Sequence, residues 1–167
     1  LMEGDIGGHV RRALSHFPFH DPVQWILNEY YRENPQEGAT YKRPPMWNFK
    51  PSKALNQLTV AANFVEAFLA KEGHKNPVGI NLLEKVQMPT MASLYGAMLA
   101  GIDSVIMGAC IPTQIPGILD KLATHEKVSY RMDVKGATAD DNFLMDFDPT
   151  EVFSNALDKV QSLWRPN

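Results

Sequence analysis

Cysteine occurs once in the 167-residue chain, as Cys110, so no internal disulfide is possible. A single thiol suits a reducing compartment, and a cytoplasmic location is expected. Long apolar runs are missing too. The stretch from Ile102 to Met107 is among the longest and is far too short to cross a bilayer, so no membrane role is expected. Basic excess is also lacking: 16 Lys and Arg stand against 19 Asp and Glu, which argues against a polyanion-binding surface and hence against nucleic acid as a partner. His9, His16, His20, His74 and His125 are scattered, and no Cys/His spacing resembles a metal site. No low-complexity tract, solenoid repeat or secretory leader is legible.

What remains is the composition of a globular domain, 44% hydrophobic and 21% charged. A chain of this length can bury about two-thirds of its unfolded surface. Three segments are expected: residues 1–51 with short helices and a loop, residues 52–124 with alternating strands and helices, and residues 125–167 as a hairpin and helix. In the first, residues 9–16 read as a short helix. Asp21 and Pro22 read as the cap and first turn of a second one carrying Val23, Ile26, Leu27 and Tyr30.

The clearest helix starts after Ser52, whose hydroxyl is placed to accept a first-turn N–H. Leu55, Leu58, Ala62, Val65 and Leu69 recur along it at three and four residues, and Gly73 follows as a left-handed stop. A strand is expected over Val78–Leu82, then a helix from Thr90 to Ala100 closed by Gly101. A second strand over Ser104–Met107 leads to a helix with Thr113 as cap and Pro116 in its first turn. Strand, helix, strand, helix at this spacing reads as a parallel α/β unit. Beyond Thr124, "KVSYRMDV" and "NFLMDF" alternate as an antiparallel hairpin. Residues 150–164 read as a last amphipathic helix with Val152, Phe153, Ala156, Leu157, Val160 and Leu163.

Ligands of parallel α/β units meet the carboxyl ends of the strands, which singles out two places. One is Asn81, whose amide offers both donors and an acceptor to a heteroaromatic ring. The other is Gly108-Ala109-Cys110, where small residues leave backbone N–H groups open to a phosphate or ring oxygen. A plainer reading has equal standing: Asn81 satisfies loop backbone and Gly108 only makes a turn. "GDIGGHV" (4–10) has no strand before it, so a helix-start turn is preferred to a phosphate loop. Glu84 and Lys85 are loop charges able to act as acid or base, or simply to be solvated. Cys110 has no His or Asp near it in sequence and reads as a packing thiol. The catalytic residues are unassigned.

The run "AANFVEAFLAKEGHKNPVGINLLEKVQMPTMASLYGAMLAGIDSVIMGACIPTQIPGILDKLA" (61–123) resembles the nitronate monooxygenase (2-nitropropane dioxygenase-like) family of FMN-dependent (β/α)8 barrels. "GDIGGHVRRAL", "FKPSKAL" and "KVSYRMDVKGATADDNF" are similar to segments of one bacterial branch, the last as an insertion before the next barrel strand. The resemblance implies a partial TIM barrel with two credible barrel strands, flanking helices and an inserted hairpin. It implies FMN as cofactor, O2 and a small nitronate as substrates, and Asn81, Gly108 and Ala109 as cofactor-binding residues. In the family the second loop usually reads glycine-alanine-glycine, and here Cys110 replaces the last glycine.

The resemblance also implies that one strand and the catalytic histidine lie outside 1–167. His9 is not given that role, because it precedes the "GIN" strand. The start at Leu1 and the stop after "SLWRPN" look like cuts through a larger sequence. The expected partner is therefore the remainder of the barrel or a complementary polypeptide. Two alternatives stand beside the monooxygenase: a flavin-dependent enoyl reductase of fatty-acid or polyketide synthesis, and a non-catalytic structural segment that pairs with a complementary chain.

Overall fold

The structure is a computed structural model. It describes residues 1–167 except Glu37, Ala39, Cys110, Ala139, Asn155, Ala156, Asp158, Lys159, Trp164, Arg165 and Asn167. The expectations for Cys110 and Ala156 therefore lie outside the described residues.

The amino-terminal helices are α1 (His9–Ser15) and α2 (His20–Tyr30). "GDIGGHV" is a helix-start turn, as its lack of a preceding strand suggested. Gly7 and Gly8 take φ of 79° and 68°, which bends the chain back so that Asp5 reaches the start of α1. The Asp5 carboxylate accepts from the backbone N–H of Val10 and of Arg11, each at 3.0 Å, and from Arg11 Nε at 3.1 Å. An anion of the chain itself thus fills the place a phosphate would take. Burial pushes the Asp5 carboxyl up, but the backbone N–H groups of Arg11 and Val10 and the Arg11 guanidinium outweigh it and hold the group below its ordinary value. Helix α2 starts two residues earlier than its sequence suggests. Phe19 occupies the cap position with no side-chain bond, and Asp21 lies in the first turn, where its charge suits the helix dipole.

Helix α3 (Lys53–Lys71) begins as expected, with Leu55 N–H donating to Ser52 Oγ at 3.2 Å. Its buried stripe is Leu55, Val60, Ala61, Phe64, Val65 and Ala67, rotated so that Ala62 is exposed. Gly73 takes φ 76° just past its end. Helix α4 (Thr90–Leu99) is buried on nearly every side, from Thr90 through Met98. It crosses α3 at Gly96, where a β-carbon would lie 2.2 Å from the Val60 carbonyl oxygen. Only glycine permits this approach.

Two strands, β1 (Gly79–Leu83) and β2 (Ser104–Gly108), pair in parallel, with Asn81 opposite Ile106 and Leu83 opposite Gly108. Their entry is tied by Asp103 Oδ2, which accepts from Lys71 Nζ at 2.7 Å and Val78 N–H at 2.8 Å. The Lys71 bond first, then the Val78 bond, holds the Asp103 carboxyl below its ordinary value.

After β2 comes α5 (Ile115–Ala123). Gln114 is its cap residue, Pro116 lies in its first turn, and Thr113 makes no cap bond. The Gln114 side chain is engaged elsewhere, as described below. Strands β3 (Val128–Arg131) and β4 (Leu144–Phe147) form an antiparallel sheet separate from the first. The last helix, α6 (Pro149–Phe153), is shorter than the pattern through residue 164 suggests. Ser154 follows it at φ 53°, a positive value that ends the helix, and Val160 and Leu163 are not helical.

The architecture is mixed α/β with two small sheets and no closed barrel among the described residues. One core cluster draws on α1, α2, α3, α4, α5, both hairpin strands and α6. No helix among the described residues is long and apolar enough to cross a membrane.

Candidate functional site

Strand β1 does not behave as a buried strand. Ile80 and Leu82 turn inward, while Gly79, Asn81 and Leu83 face solvent. On β2, Ile106 shares that outer face, and it and Leu83 are each 57% exposed. Asn81 therefore shares an exposed sheet face with two aliphatic side chains. Among the described residues nothing hydrogen-bonds to its amide. The plainer sequence reading, an asparagine spent on loop backbone, is not how this side chain is used.

Among the described residues no further strand pairs with either outer edge of the parallel pair. Val78 C=O and Glu84 N–H bond to the β2 side, through Asp103 N–H and Gly108 C=O. Main-chain groups alternate between the two edges of a strand, so Gly79, Asn81 and Leu83 direct theirs outward. A cleft of about 360 Å³ runs along this edge against α3, lined by Asn63, Glu66, Val78, Ile80 and Asn81 among others.

Gly108 ends β2 diagonally across from Asn81, on the neighbouring strand. A β-carbon there would meet Leu83 Cδ2 at 3.4 Å, so space alone does not require glycine. Ala109 follows with φ 79°, which L-residues with a side chain rarely adopt. Of the three sequence candidates, Asn81 and Gly108 thus lie on one sheet face, and Ala109 follows just past its carboxyl end. Residues of the expected catalytic type do not join them. His9 lies in α1, where its Nδ1 is 3.2 Å from an Arg12 guanidinium nitrogen. Lys85 is exposed on the loop.

A second feature at the carboxyl end escaped the sequence reading. Gln114, in the loop after β2, donates through Nε2 to Arg131 C=O at 3.0 Å and accepts at Oε1 from Arg131 N–H at 2.9 Å. Gln87, in the loop after β1, does the same with Asp133, at 3.2 Å and 2.6 Å. Each amide imitates a strand residue: Gln114 pairs with the last residue of β3, and Gln87 with the extended chain just beyond it. Tyr130 Oη donates to Glu84 Oε1 at 3.0 Å, tying the same loop to the same strand. Between the loops and the hairpin tip lies a polar cleft of about 430 Å³. Glutamine carries no pattern of its own, and only the tertiary placement of β3 shows what these two do.

No protein-family model, curated protein or solved structure matches the chain. Among the described residues the chain is mixed α/β, with one parallel and one antiparallel pair of strands.

Proposed function

We propose that this chain is part of an FMN-dependent oxidoreductase of the nitronate monooxygenase type, folded as a segment of a (β/α)8 barrel and acting in the cytoplasm. The observation that carries the reading is the exposed face of the parallel pair, which a free amide, Asn81, shares with Leu83 and Ile106. A planar heteroaromatic ring needs such a surface: apolar area for its face and a donor–acceptor group for its edge.

The donor set fits the ring. The Asn81 amide would hold its polar edge, Leu83 and Ile106 would exclude water from its face, and the backbone at Gly108-Ala109 would approach it without bulk. FMN, when bound, supplies the capacity to take electrons from an acidic carbon substrate such as an alkyl nitronate and pass them to O2. The residues of this chain bind and orient; no acid or base for the reaction is assigned among them.

Native mass spectrometry and flavin fluorescence test the reading. FMN should be retained or taken up, and Asn81→Ala should weaken it by about 1–3 kcal/mol. Unchanged flavin affinity in that variant would remove Asn81 from the site. Oxygen consumption with alkyl nitronate supports the monooxygenase, whereas NADH or NADPH consumption with an enoyl thioester supports the enoyl reductase.

A second reading is favoured by the same sheet. Two parallel strands with no described strand on either outer edge and with Leu83 and Ile106 in water make an incomplete surface. The chain would then be a structural segment whose partner is the remainder of the barrel, and a measured mass containing a second polypeptide supports it.

A further inference from the structure

We infer that the polar cleft between the carboxyl-end loops and the hairpin tip binds a small zwitterion, with Arg131 and Asp133 as its two charged contacts. Its walls include Glu84, Gln114, Arg131, Asp133, Thr138 and Asp141.

The first ground is which of these groups is already engaged. Glu84 accepts from Tyr130 Oη, and Asp141 Oδ2 accepts from both the N–H and the hydroxyl of Thr138. Gln114 spends both ends of its amide on the Arg131 backbone. Among the described residues, the Arg131 guanidinium and the Asp133 carboxylate have no partner, and they do not pair with each other.

The second ground is rigidity. Met132 N–H donates to Phe143 C=O at 2.8 Å, so the chain stays extended beyond Arg131. The backbones of Arg131 and Asp133 are each gripped on the opposite edge by a glutamine amide. Residues two apart on an extended strand point to the same side, roughly 6.6 Å from one another. A positive and a negative group are thus presented side by side on a fixed frame, which is how a site holds both ends of one ligand.

Charge decides the ligand class. Glu84, Asp133 and Asp141 against Arg131 leave the cleft negative, so a simple anion is repelled. A simple cation engages Asp133 but faces the guanidinium. A short amino acid presents its carboxylate to Arg131, which suits a planar fork of donors, and its ammonium to Asp133. The inference does not rest on the flavin reading, because every group it uses lies in the loops and hairpin.

Amide NMR spectra of the full chain, titrated with β-alanine, acetate and methylammonium separately, test it without any flavin. The expected result is a saturable shift of the Arg131, Asp133 and Thr138 amides with β-alanine, with acetate and methylammonium each weaker by about tenfold or more. Arg131→Gln and Asp133→Asn should each weaken β-alanine binding by about tenfold while the rest of the spectrum stays in place. Both positions are exposed, so neither variant threatens folding. Shifts that fail to saturate, acetate binding as tightly as β-alanine, or unchanged binding in both variants would each overturn the proposal and leave the flavin reading untouched.

Discussion

Among the described residues the chain holds two sheets of two strands each, and they differ in almost every respect that matters. In β3 and β4 the side chains alternate cleanly. Val128, Tyr130, Met145 and Phe147 are buried in the main core, and their neighbours face water. Where β3 lacks a strand on its outer edge, Gln114 pairs with Arg131 at its end and Gln87 with Asp133 just beyond it. The β1–β2 pair has no fully buried residue, two open edges and an outer face with aliphatic side chains in water. The hairpin is finished by its own chain. The parallel pair, among the described residues, is left with its edges and its outer face uncovered.

The sharpest way to break that contrast is to remove a hairpin anchor. Phe147→Ala should destabilise the chain by about 3–5 kcal/mol, measured by urea denaturation, because Phe147 lies at 2% exposure against Tyr95. A loss below 1 kcal/mol would mean that the hairpin is loosely held.

At the carboxyl end of β2, Ala109→Gly should stabilise the fold by about 1 kcal/mol, since glycine adopts φ 79° without the side-chain clash. A thermal midpoint unchanged or lower in the variant would show that the backbone there is unstrained.

Acid tests the entry to the parallel pair. The folded-state Asp103 carboxyl lies below its ordinary value, so its contribution is fully present above the unfolded value, about 3.9, and is lost as pH falls through the folded one. Hydrogen exchange at the Val78 amide should show lowered protection in that window, and Asp103→Asn should abolish the step.

The smallest effect is expected on the outer face. Leu83→Thr with Ile106→Thr should change stability by no more than about 0.5 kcal/mol. Self-association, followed by sedimentation, should fall if that face is what brings chains together. A stability loss of several kcal/mol would mean that the face is covered in solution.

The parts of the fold written in local chemistry were legible. Ser52 capping α3, Gly73 and Gly101 at positive φ beyond two helices, and the alternation in "KVSYR" and "NFLMDF" depend on a residue and its near neighbours. Thr113 misled because its hydroxyl lies outside the cap position. The last helix misled because an apolar period of 3.6 cannot reveal that Ser154 takes a positive φ after Phe153. The site was half legible. Asn81 and Gly108-Ala109 stood out by their place at strand ends, but that Asn81 keeps its amide free could not be read from its neighbours.

The sequence by itself determined the element order, the lack of an internal disulfide, and the turn chemistry, because periodicity and capping act within a few residues. Tertiary structure decided which faces meet. It set the Gly96 approach to the Val60 carbonyl, the glutamine amides pairing at the end of β3 and just beyond it, and the exposure of Leu83 and Ile106 beside Asn81. Those depend on distances between segments far apart in the chain, and such distances are settled only when the core packs.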